Sequence, residues 1–215
     1  MGGWGDLPVA PDSSRLSADA DERLRRWLDE LVATPGLTSV PREDAHRVHV
    51  EESLGALEVV RSLTGPIIDV GSGGGAPGIP LAVELPDRAV ALLEASRRKC
   101  AFLERWAREL PNVEVVCGRA EEQPVDRWGV AVAKALASPP VAAEWCLPLV
   151  APGGAAVLYV GPSAEAEQVA QVAEQLAAEL AESPPGLLVL RKLGQTPAGF
   201  PRRPGAARKR PLSRR

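Results

Sequence analysis

The sequence predicts an α/β fold, in which a mainly parallel sheet carries helices on both faces and follows a helical extension. From Pro66 onward, short runs rich in Val, Ile, Leu and Ala alternate with longer segments of helical periodicity. A glycine-rich turn, IIDVGSGGGAPGIPLA (67–82), begins at the first of these runs, and only helical patterns precede it. Strands and helices that alternate in this way require crossover connections, which produce a parallel sheet.

Two helices are expected before the sheet. Ser17 is a candidate N-cap, and the breaker Thr34-Pro35-Gly36 ends the first helix. Between them lie apolar residues at helical spacing: Leu24, Trp27, Leu28 and Leu31. A second helix is predicted over about residues 42–63.

Six strands that form the predicted sheet follow, together with four helices between them. The strands are Ile67–Gly71, Ala89–Glu94, Val113–Cys117, Val130–Lys134, Ala155–Val160 and Leu187–Leu190. The helices lie near 78–85, 96–109, 139–149 and 164–182. We therefore expect an N-terminal helical extension packed on the core (1–64), a ligand-binding α/β domain (65–190) and a flexible basic tail (191–215).

The charge is distributed unevenly along the chain. The formal net charge is -3, yet residues 191–215 contain nine Lys or Arg and no Asp or Glu, which leaves about -12 on the rest. Such a tail is typical of an arm for nucleic acid or another polyanion, because each cation near a phosphate releases counterions. A solvated terminus that maintains solubility is an equally good interpretation.

The cysteines and the N-terminus predict a reducing, cytoplasmic location. Cys100, Cys117 and Cys146 are widely spaced and the chain has only two histidines, so neither structural zinc nor a disulfide framework is expected. No charged leader precedes an apolar stretch at the N-terminus. The longest uncharged stretch, 145–164, is interrupted by Pro and Gly, so no membrane association is expected.

The glycine-rich turn is the candidate ligand site. It joins the first strand to the first helix of the sheet, and ligands of open α/β sheets bind beyond the carboxyl ends of the strands. Gly71, Gly73 and Gly75 permit positive φ and a close approach of ligand to backbone. Dinucleotide, flavin and S-adenosylmethionine (SAM) proteins share this pattern.

Acidic residues around the turn favour SAM. Glu94 ends the second strand 19 residues after Gly75 and is placed to accept the hydroxyls of a ribose. Asp69, two residues before Gly71, suits a cationic ammonium or sulfonium and would repel a pyrophosphate, although it is also a candidate for bracing the loop. A further acidic turn follows the third strand at 118–122. A nicotinamide oxidoreductase is the alternative.

Several segments together resemble one known family. The stretches IDVGSGGGAPGIPLA, LLEASRRKCAFLE, GRAEE and AKALAS resemble successive signatures of the bacterial RsmG (GidB) family. LTSV with HVEESL resembles the family's N-terminal pair, and TPAGFPRRPGAARKRPL resembles the tail of many members. The likeness covers about residues 24–160.

This resemblance implies a Rossmann-like class I SAM-dependent methyltransferase that modifies N7 of a guanine in the decoding-centre loop of 16S ribosomal RNA. The implied partner is that RNA or the 30S particle, and a monomer is favoured. By position, the resemblance implies that Gly71, Ala76, Ala120 and Glu121 contact SAM, and that Lys134 stands where the family has a functional arginine. The chain also departs from the family's usual residues at Gly36 and Val160.

The chemistry requires little from the protein. Guanine N7 already has an in-plane lone pair, so no general base is needed and catalysis can rest on positioning. We assign no catalytic residue, but Lys134 and Arg119 are candidate cations that orient the base; an ion pair with Glu121 or Glu122 is as good an interpretation of Arg119. His49 is a candidate for the cleft or for packing. Alternatives are methylation of another RNA or a small molecule, and a noncatalytic RNA-binding relative.

Overall fold

The computed structural model describes residues 18–164 and 166–213. The helices in these ranges are α1 (Ala18–Ala33), α2 (Glu52–Leu54), α3 (Leu57–Ser62), α4 (Gly78–Glu84), α5 (Arg97–Ala107), α6 (Pro139–Cys146), α7 (Ala166–Gln175) and α8 (Ala206–Lys209). The strands are β1 (Ile67–Val70), β2 (Val90–Glu94), β3 (Val113–Cys117), β4 (Trp128–Lys134), β5 (Val150–Tyr159), β6 (Ala178–Ala181) and β7 (Leu187–Lys192). The candidate cap Ser17 lies outside the described residues.

The strands form one sheet in the order β3-β2-β1-β4-β5-β7-β6. All pairs from β3 to β5 are parallel, whereas β7 is antiparallel to both β5 and β6. This confirms the predicted α/β class with a mainly parallel sheet. The chain order reverses between β1 and β4, and such a switch point leaves a crevice at the carboxyl ends of the strands.

Each face of the sheet is covered by its own apolar core. Helices α1, α3, α4 and α5 pack on one face, with Trp27, Leu31 and Leu103 almost fully buried there. Helices α6 and α7 cover the other face through residues such as Ala143 and Val169. The central strands are buried on both sides, which is why their sequences are continuous apolar runs.

Side-chain alternation along the strands decides which face each polar residue meets. In β4, Val130 and Val132 belong to the core beneath the N-terminal helices, and Lys134 has the same parity. In β1, Ile67 belongs to that core and Asp69 follows it by two residues. Both charged side chains therefore project toward the face that carries the N-terminal extension.

The N-terminal extension is bonded to the sheet domain. The Trp27 indole donates a hydrogen bond to the Gly74 carbonyl in the glycine-rich turn, at 3.0 Å. The Arg88 guanidinium donates to the Val60 and Leu63 carbonyls at 3.2 and 2.9 Å and thereby satisfies the end of α3. The N-terminal extension thus holds the glycine-rich turn in place through Trp27.

The second predicted helix is broken into short pieces. A π-helical turn spans Arg47–Glu51, α2 follows it, and Gly55 separates α2 from α3. Glycine has low helix propensity, and the continuous periodicity predicted over 42–63 does not reveal the interruption. π-Helical turns are frequent at functional sites.

The predicted helix over 164–182 was wrong in its second half. Helix α7 ends at Gln175, Ala177 adopts a positive φ of 54°, and Ala178–Ala181 form the edge strand β6. Pairing with β7 stabilises β6. That contact is distant in sequence and leaves no periodicity in four residues.

Two of the three cysteines form a disulfide, which corrects the expectation from their spacing. Cys100 in α5 and Cys117 at the end of β3 are bonded, with their Cα atoms 6.0 Å apart. The two cysteines are 17 residues apart in sequence, and only the packing of the fold brings their sulfur atoms together. Cys146 is free and buried.

The basic C-terminal region begins inside the sheet. Strand β7 continues to Lys192, two residues beyond the predicted boundary. The fully buried Lys192 ammonium donates to the carbonyls of Leu147 and Leu176 and to the Thr196 hydroxyl, at 3.1, 3.0 and 2.9 Å. Burial lowers the pKa of this ammonium, and Asp126 opposes that effect. Lys192 therefore contributes to internal structure and is not part of an RNA-binding arm.

Candidate functional site

A cleft of about 310 Å³ lies at the carboxyl ends of the first four strands. Loops after three parallel strands and the end of β2 contribute its inner residues: Gly71, Glu94, Ala95, Ala120, Glu121 and Leu136. This volume is at the lower end of the range of small-molecule sites. The cleft is at the sheet edge that the glycine-rich turn predicts.

Gly71 leaves space at the base of the cleft. Its φ is +74°, and a Cβ there would lie 2.3 Å from Leu136 Cδ1, a side chain that also lines the cleft. A side chain at Gly71 would therefore strain the backbone and push Leu136 into the ligand space. Gly71 confirms the reasoning that the turn needs a residue without a side chain.

Gly73, Gly75 and Ala76 build the shape of the glycine-rich turn and do not line this cleft. Gly75 is buried with a φ of +108°, and a Cβ at this position would lie 2.4 Å from Ile79 Cδ1. Gly75 therefore allows the turn to pack closely against α4. Gly73 has φ +59° and donates its N–H to Glu94. Ala76 is half-buried against the core below the N-terminal helices. Their assignment to cofactor binding stays a prediction.

Asp69 lies beneath the turn. Its Oδ2 accepts the Gly78 N–H at 2.9 Å, and a Cβ on Gly78 would lie only 2.7 Å from the same oxygen. The geometry thus supports the loop-bracing interpretation of Asp69, and this side chain does not line the cleft. Burial raises the pKa of Asp69 to about 7, against the lowering effect of the Gly78 bond, while Oδ1 has no partner.

Glu94 joins the second strand to the glycine-rich turn. Its Oε2 accepts the Gly73 N–H at 2.9 Å, and its Oε1 accepts the Ser96 N–H at 2.7 Å. The residue lines the cleft and is 8% exposed. An ionised carboxylate has about four acceptor sites, so Glu94 retains capacity for ligand hydroxyls after both bonds.

The acidic turn after β3 forms the opposite side of the cleft. Ala120 and Glu121 line it within a 3₁₀ turn, and Glu121 Oε1 accepts the Gly205 N–H at 3.0 Å. The Arg119 side chain is exposed and also lines the cleft. Among the described ion pairs none joins Arg119 to Glu121 or Glu122, so the alternative interpretation of Arg119 finds no support.

Lys134 faces the N-terminal extension and does not line the cleft. Its ammonium donates to the Val48 carbonyl and lies 3.0 Å from Glu52 Oε2, with 13% of its side chain exposed. Side chains alternate along β4, and Lys134 points to the same face as Val132, which is the face that carries the N-terminal extension. Directly after Lys134, Ala135 adopts a φ of +52°, and Leu136 then lines the cleft.

His49 fits the packing interpretation. Its Nε2 hydrogen-bonds Thr38 Oγ1 at 2.8 Å, and its ring packs nearly perpendicular to that of Trp27, with the ring centroids 6.4 Å apart. Burial lowers the pKa of His49, and the nearby Lys134 charge acts in the same direction. LTSV and HVEESL, the two segments that resemble a family pair, are thus joined by the Thr38–His49 bond.

Sequence reasoning missed part of the cleft, namely the contributions of Lys99, Leu136, Trp145, Gly205 and Arg208. The sequence contained one signal that the basic tail is attached to the sheet domain, namely a single carboxylate within an apolar helix. Helix α6 is apolar except for Glu144, whose side chain is 4% exposed, and a buried carboxylate requires a cation. Its partner is Arg202 in the basic tail, which the sequence does not single out among 25 cationic residues.

Residues 18–164 and 166–213 contain no cluster of three His, Cys, Asp or Glu side chains arranged to hold a metal ion. Across the same ranges, no helix combines the length and the apolar character needed to cross a membrane.

Comparison with known proteins identifies close sequence relatives. The family model described as rRNA small subunit methyltransferase G matches residues 22–183. A protein named ribosomal RNA small subunit methyltransferase G from Synechococcus elongatus is 40% identical over 168 residues, which is 69% of each chain. One of the same name from Carboxydothermus hydrogenoformans is 38% identical over 212 residues, 89% of this chain and 90% of its own.

The fold itself is shared more widely. A branched-chain polyamine synthase variant from Thermus thermophilus, solved with 5′-methylthioadenosine, aligns with a TM-score of 0.63 at 16% identity. The alignment covers 85% of this chain and 66% of that one. The structure has the Rossmann-like class I methyltransferase fold, and the sequence matches extend over most of the chain. The chain therefore belongs to the rRNA small subunit methyltransferase G family, as its glycine-rich turn and associated motifs indicate.

Proposed function

We propose that the protein transfers the methyl group of SAM to N7 of a guanine in the decoding-centre loop of 16S ribosomal RNA. Membership of the family supports the reaction class. The observation that carries the cofactor assignment is the cleft beside Gly71, where the missing side chain and the Glu94 carboxylate create a site for a nucleoside. The cytoplasm, where ribosomal RNA is found, is the proposed location.

The described residues fit the cofactor. Gly71 and Ala120 offer backbone surface, and Glu94 and Glu121 offer carboxylates on opposite sides of the same cleft. Carboxylates suit hydroxyl, amino and sulfonium groups, and a carboxylate at the end of the second strand is equally suited to the ribose of a nicotinamide cofactor, so it is membership of the family that supports SAM. When bound, SAM supplies an electrophilic methyl group on a cationic sulfur.

The protein's contribution is to position the base. Guanine N7 uses its own lone pair to form the new bond to carbon as the carbon–sulfur bond breaks, so the protein moves no proton in this step. Holding the two atoms in line at contact distance removes an entropic barrier worth several kcal/mol. Arg119, exposed at the cleft, is the proposed cation for orienting the base.

The mouth of the cleft is suited to a polyanion. Lys99, Arg119 and Arg208 come from three separate elements and all line it. Cations placed around a cleft attract a phosphate backbone and strengthen its association at low salt. Lys134 acts on a different part of the protein, since it anchors the N-terminal extension through Val48 and Glu52. We propose that Lys134 is a positioning residue and not a direct ligand.

The test is methyl transfer to undermethylated 30S subunits with isotopically labelled SAM, followed by mass spectrometry of RNA fragments. We expect label on one guanine, at N7. SAM binding without label in this RNA would instead support another methyl acceptor. Tight RNA binding without SAM binding would support a noncatalytic relative, and binding of NADH without SAM would support an oxidoreductase.

A further inference from the structure

Residues 202–210 lie against the cofactor cleft, although their charge first indicates an arm for RNA. Gly205 and Arg208 are themselves cleft-lining residues. We name residues 202–210 the C-terminal wall. It includes the short helix α8, and Ala207 in that helix is 2% exposed.

One ion pair attaches the wall to the sheet domain. The Arg202 guanidinium donates through Nε and Nη2 to the two oxygens of Glu144, both at 2.6 Å. Glu144 belongs to α6 and its side chain is 4% exposed, so this bidentate pair is largely removed from water. Arg202 Nη2 also donates to the Arg210 carbonyl at 2.8 Å, which closes the wall on itself.

Three further contacts join the wall to residues of the cleft, and one of them is a hydrogen bond from Arg208 Nη2 to the Leu136 carbonyl at 3.4 Å. The Gly205 N–H donates to Glu121 Oε1 at 3.0 Å, where Gly205 has a φ of +80°. The Arg208 guanidinium lies 5.1 Å from the centroid of the Trp145 ring, within the range of a cation–π contact. Glu121 and Trp145 both line the cleft, so the wall shares its partners with any ligand bound there.

We propose that the C-terminal wall is a part of the SAM site and that Arg202 is a positioning residue for it. The inference rests on the proposed function, because it assumes that SAM occupies this cleft. Arg202 does not line the cleft; it holds Gly205 and Arg208 in place through Glu144. If the wall is attached in only a fraction of molecules, the apparent affinity for cofactor falls to that fraction of its intrinsic value.

The test measures binding of S-adenosylhomocysteine to the full-length protein by calorimetry. Arg202→Ala is compared with Arg203→Ala, because both remove one positive charge from the wall but Arg203 is exposed and does not line the cleft. We expect Arg202→Ala to weaken binding roughly tenfold or more, since the attached arrangement becomes the minor one. We expect Arg203→Ala to stay within about twofold of wild type.

Further variants keep the test decisive if Arg202→Ala unfolds. That change leaves a buried carboxylate unpaired, which destabilises the folded protein. Glu144→Gln combined with Arg202→Ala removes the unpaired charge and should show the same loss of affinity. Arg208→Ala removes the contact with Trp145 and leaves no buried charge, and exposed Lys209→Ala is its matched control.

Kinetics separate positioning from a general loss of structure. In Arg202→Ala and in Glu144→Gln/Arg202→Ala the KM for SAM should rise, whereas kcat at saturating SAM and saturating RNA should stay close to wild type. Arg202→Lys should restore part of the affinity. Equal affinity in wild type and in folded Arg208→Ala and Glu144→Gln/Arg202→Ala would overturn this inference and leave the proposed function intact. Absence of binding to wild type would contradict the proposed function itself.

Discussion

Asp69 should make the protein less stable as the pH rises from 3.8 to about 7, and Asp69→Asn should remove that dependence. The carboxyl pKa is raised by burial from 3.8 to about 7. A raised acid pKa means that the folded chain holds the proton more tightly than the unfolded chain. Stability is therefore greatest below pH 3.8 and falls as the pH rises to about 7. Above that pH the cost of the buried charge is constant.

The magnitude follows from these two pKa values. Ionised Asp69 costs the fold about 4 kcal/mol well above pH 7, and about 2 kcal/mol of that is already present near pH 5. Between about pH 5 and about pH 8.5, the stability of Asp69→Asn relative to wild type should therefore rise by about 2–3 kcal/mol. An amide at position 69 can still accept the Gly78 N–H.

The assay is urea denaturation of cofactor-free protein at several pH values, with the free energy of unfolding compared between variant and wild type. The comparison cancels the titration of all other groups. Asp87→Asn, an exposed carboxylate, controls for the loss of one acidic side chain. Parallel pH profiles for wild type and Asp69→Asn would refute the reasoning, because they would show that Asp69 does not titrate differently on folding.

Three further predictions concern the turn, the sheet and the extension. Gly73→Val should abolish SAM binding in a folded variant, because a branched residue at a φ of +59° reshapes the turn; unchanged affinity by calorimetry would contradict this. Gly129→Ala should destabilise the protein by about 3 kcal/mol or more in urea, since its Cβ would lie 1.8 Å from the Thr64 carbonyl oxygen. Gly161→Ala, with open space around its Cβ, should change stability by less than about 0.5 kcal/mol. Lys134→Gln should slow RNA methylation roughly tenfold or more while cofactor affinity stays near wild type, because it loosens the extension; an equal loss of both would show that Lys134 acts on the cofactor.

The fold could be predicted to the extent that it depends on local patterns. The central strands are apolar runs next to glycine or helix signals, so β1 to β4 lie close to their expected positions. Strand β6 could not be predicted, because its four residues are stabilised by pairing with β7. The Cys100–Cys117 disulfide was missed for the same reason, since only the fold brings the two thiols together.

The site was predicted best where the backbone itself creates it. Gly71 and the acidic residues Glu94 and Glu121 line the cleft as expected. Asp69 braces the turn through the Gly78 N–H, which was one of its two predicted roles, and its contact with the cofactor stays a prediction because sequence spacing does not give the direction of a side chain relative to α4. The C-terminal wall depends on the Arg202–Glu144 pair, whose partners are 58 residues apart. No local pattern encodes such a contact.

The left-handed backbone at Ala135 lies between Lys134 and Leu136, whose side chains contact different parts of the protein. Lys134 pairs with Glu52 and holds the N-terminal extension, whereas Leu136 lines the cleft. Changes at these two positions should consequently be separable in evolution. Exchange of one cation for another at 134 can adjust how the N-terminal extension is held, and the residues that line the cleft need not change.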